Sequence, residues 1–149
     1  MRNIYLIILL ALTLSSCRTS KPVTKPEIIQ PPSEIVVEKI VGIELSGTWA
    51  LQKLWGSENK WVKPPEIDID FNDKTFTGNT GCNSISGKFA IDGNYLAFAK
   101  EILTTKVACP GYNEKRLLAV LLKINRYAVD NNVLELSQDD IVLMKFIKK

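Results

Sequence analysis

Residues 66–98 read EIDIDFNDKTFTGNTGCNSISGKFAIDGNYLAF. The opening alternates, with Ile67, Ile69 and Phe71 on one side and Glu66, Asp68 and Asp70 on the other. Successive side chains of an extended chain point to opposite faces, so this pattern predicts a strand with one buried and one wet face. Asn72 and Asp73 turn the chain, and Lys74 to Asn79 returns. Ile85 to Ile91 follows, with Ile85, Phe89 and Ile91 on one side. Asp92-Gly93 is a hairpin signal, since a type I′ turn needs positive φ at both central positions, and Tyr95 to Ala99 is its partner strand.

Working outward, Trp49 to Trp55 is a further strand, with Trp49, Leu51 and Trp55 on one face and both tryptophans expected in the core. Trp61, in the loop before Pro64-Pro65, is the candidate binding aromatic. The period changes once. Tyr112 to Lys123, YNEKRLLAVLLK, sets Leu117, Leu121 and Ile124 along a helical stripe widened by Leu118, Val120 and Leu122. Asn113 can cap this helix, and Glu114 sits beside the positive end of its dipole. Arg126 to Asp130, Val133 to Ser137 and Ile141 to Ile147 complete the chain, joined at Asn131-Asn132 and at Gln138 to Asp140. Turn signals recurring about every 8 to 12 residues argue for an all-β module. The expectation is a mostly β fold over residues 45–149: a small antiparallel β-barrel-like domain of about eight strands, with one packed α-helix after the fifth.

The amino terminus reads MRNIYLIILLALTLSSC, one Arg at position 2 and an apolar run from Ile4 to Leu14. This is a secretory signal, too short for a membrane span of about 20 apolar residues. Leu14, Ser15, Ser16 and Cys17 match the bacterial lipobox, in which the cysteine thiolate receives a diacylglyceryl group. Residues 1–16 are therefore expected to be a lipoprotein signal peptide and Cys17 the lipidation site; the alternative is an ordinary signal peptide cut near Ser16. Arg18 rather than Asp follows the cysteine, which by the enterobacterial sorting rule points to the outer membrane, facing the periplasm. Residues 17–44 hold four of the seven prolines and no aromatic residue, which suits a semi-rigid spacer. Ile35 to Ile43 is more apolar and could add a strand or lie on the domain, but it is assigned to the linker.

Composition narrows the chemistry. The 149 residues carry a net charge of +3, and from residue 45 onward 14 Lys and Arg meet 12 Asp and Glu, so no basic face for nucleic acid is expected. Without histidine, imidazole triads and the commonest zinc sites are absent. Asp68, Asp70 and Asn72 mimic the start of a calcium loop, but Asp73 and Asn79 stand where it needs Gly and Glu. No catalytic residue, metal or cofactor is expected. Once Cys17 carries lipid, Cys82 and Cys109 remain, and an oxidising compartment favours their pairing. Closing a loop of about 28 residues contributes roughly 3 to 4 kcal/mol in the chain-entropy model. The rival reading is a reactive thiol, with Lys106 near Cys109 as its only support. Gly78, Gly81 and Gly87 suit a bulge or barrel corner, where Asn83, Thr104 and Thr105 can satisfy unpaired backbone groups.

The segments SGT with WALQKL, GNTGCNSISGKF, IDGNYLAF, and ILTTKVACP before a leucine-rich helix together resemble the META domain, or HslJ-like, family of bacterial envelope proteins. The resemblance covers Leu45 to Phe146, best at Gly81, Cys82, Asn83, Gly87, Thr104, Thr105, Ala108 and Cys109; Val107 stands where methionine is usual. It implies a small β-rich domain, often on lipoproteins, linked to stress response and antibiotic tolerance, with no enzymatic activity generally assigned. The expected protein is a monomeric, non-catalytic envelope module held to the membrane by its lipid. Its partner is expected to be an envelope protein or a small apolar ligand. An inhibitor, or a hydrolase without histidine, are the alternatives.

Overall fold

The computed structural model describes residues 42, 44–58, 61–110 and 113–149. Contacts divide the chain into residues 1–31 and 32–149, and every described residue belongs to the second unit. The expected signal peptide, Cys17 and nearly all of the proline-rich stretch, including Ile35 to Ile43 apart from Gly42, lie outside the described residues.

The strands are β1 (Gly47–Leu54), β2 (Glu66–Asp70), β3 (Thr75–Asn79), β4 (Ser84–Asp92), β5 (Tyr95–Phe98), β6 (Leu103–Thr104), β7 (Arg126–Asp130), β8 (Val133–Gln138) and β9 (Ile141–Lys148), with helix α1 (Glu114–Leu121) between β6 and β7. Hydrogen bonding runs β3-β2-β1-β9-β8-β7-β5-β4 and returns from β4 to β3, closing an eight-stranded antiparallel barrel. The length of β4 makes closure work. Its first half, Ser84 to Lys88, pairs with β3, and its second half, Phe89 to Asp92, pairs with β5. The two-residue β6 adds a rung pair at Ile85 and Ser86. The helix thus follows a sixth strand, not the fifth; β6 is too short to show any alternation.

Two bulges set which side chains enter the barrel. Along β1 and β9, Leu51 faces Phe146 but Lys53 faces Lys145, so Gln52 has no partner. An extra residue reverses the alternation beyond it. Leu54 is therefore buried, and Trp55, expected in the core beside Trp49, is 54% exposed. On β9, Leu136 faces Met144 and Ser137 faces Val142, which leaves Leu143 as the extra residue and buries Leu143 and Met144 in succession.

Side chains fill the lumen, as in other small barrels. Phe76 meets Phe98 edge-on with centroids 5.0 Å apart, and Phe89 lies 6.5 Å from Phe98. Two glycines make room. A Cβ at Gly87 would come within 2.8 Å of the Phe76 ring, and one at Gly78 would lie 2.1 Å from the Glu66 carbonyl oxygen. Helix α1 buries Leu117, Val120 and Leu121, and Ile124 follows them into the core. The stripe is narrower than its sequence suggests, since Leu122 ends the helix 43% exposed.

Strand direction sorts the loops into two ends. The chain enters at one end, where Ser46 N–H donates to Gly42 O at 3.1 Å, the Trp49 indole N–H donates to Leu45 O at 2.9 Å, and Lys148 Nζ donates to Glu44 O at 3.0 Å. The turns at Phe71 to Lys74, Gly93 and Asn131-Asn132 lie at that end. The β1–β2 loop, the Thr80 to Asn83 turn, the segment from β6 to α1 and the Asp139-Asp140 turn lie at the other.

Candidate functional site

The site begins with the turn between β3 and β4, whose sequence Thr80-Gly81-Cys82-Asn83 closes on itself. Thr80 N–H donates to Asn83 O at 2.8 Å, and Asn83 N–H donates back to Thr80 Oγ1 at 3.0 Å. Gly81 sits at φ +90°, where a side chain would be strained, and its N–H donates to Asn79 Oδ1 at 2.9 Å. This turn carries Asn83, 2% exposed, into the interior.

A buried amide must be satisfied, and Asn83 satisfies both of its ends. Its Oδ1 accepts from Val107 N–H at 2.8 Å and from Thr105 Oγ1 at 2.9 Å. Its Nδ2 donates to Val107 O at 3.1 Å and to Glu114 Oε2 at 2.8 Å. A carboxamide has the donor and acceptor of a peptide group, so taking both Val107 backbone groups makes it a substitute rung of the β4–β6 ladder. The rungs run Ser86 to Leu103, then Thr105 N–H to Ser84 O at 3.1 Å, then Asn83 side chain to Val107. The chain is thereby held extended well beyond the two residues of β6.

Thr105 and Thr104 brace the same segment from opposite sides. Thr105 Oγ1, besides donating to Asn83, accepts from Ser84 N–H at 3.0 Å. Thr104 Oγ1 donates to Glu114 Oε1 at 2.8 Å. Glu114 thus receives Asn83 on one oxygen and Thr104 on the other, in the first turn of α1, where the helix dipole favours a carboxylate. Asn113 caps the helix by accepting from Arg116 N–H at 3.1 Å. Cys82 and Cys109 are bonded, with Cα atoms 6.2 Å apart, so the turn and the far end of the segment are also joined covalently.

The structure therefore brings Gly81, Cys82, Asn83, Thr104, Thr105 and Cys109 into one cluster, with Ala108 on its exposed rim. Gly87 stands apart, beneath the Phe76 ring. Trp61 is half-buried and packs on the core, its indole N–H without a partner among the described residues. The exposed tryptophan is Trp55, whose carbonyl accepts from Arg116 Nη2 at 2.9 Å. The residue that sequence reasoning missed as a site member is Glu114. Its position at a helix start was legible, but its partners lie 10 and 31 residues away in the chain.

Between the extended segment and α1 lies a cleft of about 380 Å³, lined by Asn83 and Thr104 to Ala108 on one side and by Glu114, Lys115 and Leu118 on the other. Among the described residues no three His, Cys, Asp or Glu side chains are grouped as metal ligands. The resolved pKa perturbation is remote from the cleft: burial, then the Glu44 carboxylate, raises the Tyr127 phenol above its ordinary value. Among the described residues no helix is long and apolar enough to cross a membrane.

Comparison with solved structures finds the same architecture elsewhere. A protein from Burkholderia xenovorans solved by NMR superposes with a TM-score of 0.57 at 19% identity, over 87% of this chain and 98% of its own. A second NMR structure gives 0.53 at 22% identity, over 68% and 87%. A DUF4847 family protein from Bacteroides vulgatus, a crystal structure, gives 0.49 at 20% identity, over 74% and 97%. The first two likenesses speak to the fold alone. No curated protein matches the chain. The META domain family model matches residues 43–149, the whole barrel with its helix. The chain belongs to the META domain family.

Proposed function

We propose that this protein is a lipid-anchored envelope protein whose META domain is a non-catalytic binding module, held off the bilayer by the proline-rich stretch. The observation that carries the reading is the filled barrel: among the described residues Trp49, Phe76, Leu134, Phe146 and their neighbours occupy the lumen, which favours ligand contacts outside it. Contacts with other molecules fall to the outer surface. There the far end offers a backbone segment stiffened by an amide rung, a carboxylate and a disulfide. The META domain is not known as a catalytic family, in keeping with this reading. The lipobox ending at Cys17 supports the anchor, and Arg18 supports the outer membrane.

Metabolic labelling of the full chain with palmitate tests the anchor. Label on the wild type that disappears in Cys17→Ala, together with release of that variant from the membrane fraction, is the expected result. An unlabelled wild type contradicts it. Turnover of a wall or lipid fragment by the pure protein would overturn the non-catalytic reading.

A further inference from the structure

The Asn83 rung fixes which backbone groups of the segment face inward. Leu103 pairs with Ser86, Thr105 donates its N–H to Ser84 O while its carbonyl accepts from Thr104 Oγ1 at 3.0 Å, and Val107 turns both of its groups to the Asn83 amide. By the alternation of an extended chain, Thr104 and Lys106 turn theirs the other way, toward α1. Their N–H and C=O groups make no hydrogen bond among the described residues. This is an open sheet edge, two rungs long, and proteins ordinarily blunt such edges with proline, bulges or a covering element. Here no proline occurs until Pro110, and an asparagine, two threonines and a disulfide keep the edge straight.

From these features we propose that the β6 edge, Thr104 to Lys106, is a strand-addition site for an extended acidic segment of a partner protein, seated in the cleft beside α1. The proposal deepens the binding-module reading and rests on it. Main-chain pairing on a free edge supplies attachment, and side-chain contacts across the cleft supply selectivity. The walls define the chemistry. Lys106 on the edge and Lys115 on the helix both line the cleft, and neither has an ion pair or hydrogen bond among the described residues. The Glu114 carboxylate also lines the cleft, but its two oxygens accept from Asn83 and Thr104, so two ammonium groups face one hydrogen-bonded carboxylate and the net charge offered to an occupant is positive. Leu118 and the 63% exposed Val107 supply apolar contact. An acidic strand with alternating apolar residues complements both walls, whereas a basic strand would meet two like charges.

The test is fluorescence anisotropy on the full chain in detergent micelles, with blocked peptides as probes: alternating Glu and Val, the same peptide with Lys for Glu, and the Glu peptide N-methylated at alternate residues. N-methylation removes pairing donors and keeps the charge. The acidic peptide should bind saturably, and the other two about tenfold more weakly or less. Lys106→Gln should weaken binding severalfold. Lys106→Pro, which also deletes the outward N–H at a position already extended, should weaken it further while thermal stability holds. Equal binding of the N-methylated peptide, equal binding of the basic one, or no binding at all would overturn the proposal. So would tighter binding in a Glu34→Lys, Glu38→Lys double variant, which would mark the chain's own stretch as the occupant. A dimer that the acidic peptide dissociates would assign the edge to a second copy and overturn it too. Palmitate labelling is independent of every peptide result, so loss of this site leaves the anchor standing, and the reverse.

Discussion

Replacing Asn83 by alanine removes four hydrogen bonds at one stroke. Three of the abandoned partners are neutral: the Val107 N–H, the Val107 carbonyl and the Thr105 hydroxyl. At about 1 kcal/mol each they contribute less than the fourth, the Glu114 carboxylate, at about 1.5–3 kcal/mol. Water can reach Val107 at the rim and recover part of the loss, so the expected destabilisation is about 3–5 kcal/mol. That is a large share of the ~5–15 kcal/mol by which a domain of this size is stable. The assay is urea unfolding of the full chain with the Cys82–Cys109 bond intact in both proteins, followed by tryptophan fluorescence. Asn83→Asp sharpens the comparison. The shape is kept, but the donor to Val107 O and Glu114 becomes a carboxylate oxygen, so two negative groups face each other. A proton is then held more tightly in the folded state than in the unfolded one, and this variant should gain stability as pH falls. A loss below about 1 kcal/mol in Asn83→Ala would refute the claim that the amide serves as a ladder rung.

Three further outcomes follow from the fold. Gly78→Ala puts a Cβ 2.1 Å from the Glu66 carbonyl oxygen, a backbone contact that cannot yield cheaply, so the variant should lose about 3 kcal/mol or fail to fold; chemical denaturation measures it. The bulge at Gln52 makes the two β1 tryptophans unequal: Trp49→Ala should cost about 3–5 kcal/mol and Trp55→Ala under about 1, and equal losses would contradict the register. Tyr127, its phenol raised by burial and then by Glu44, keeps its proton in the folded state at a pH where the unfolded chain has lost it. The associated stability is whole below about pH 10 and declines as pH rises further, a decline that Tyr127→Phe should abolish in alkaline unfolding curves.

The strands were legible because their information is local. Alternation in Glu66 to Asp70 and the Asp92-Gly93 turn are written in consecutive residues, and β7 has the limits its pattern predicts. Trp55 was misplaced because the bulge that turns it outward arises from pairing with β9, some ninety positions on in the chain. No pattern within β1 can reveal a residue left over in a distant register. The cysteine pair could be read from composition and compartment, and a role for Asn83 in satisfying backbone groups from the glycines around it, but the partners of Asn83 lie 22 to 31 residues away. Glu114 shows the same limit. A carboxylate at a helix start is fully explained by the dipole, so nothing in the sequence asks for a second role.

The central claim is that Asn83 extends the β4 ladder to Val107 and leaves the opposite backbone groups of Thr104 and Lys106 unpaired. Amide hydrogen exchange of the full chain, resolved by residue, measures both halves at once. The account predicts that the Thr105 and Val107 amides exchange slowly, protected like the barrel strands, while those of Thr104 and Lys106 exchange rapidly. Rapid exchange at Val107, or protection at Thr104 and Lys106, would contradict it.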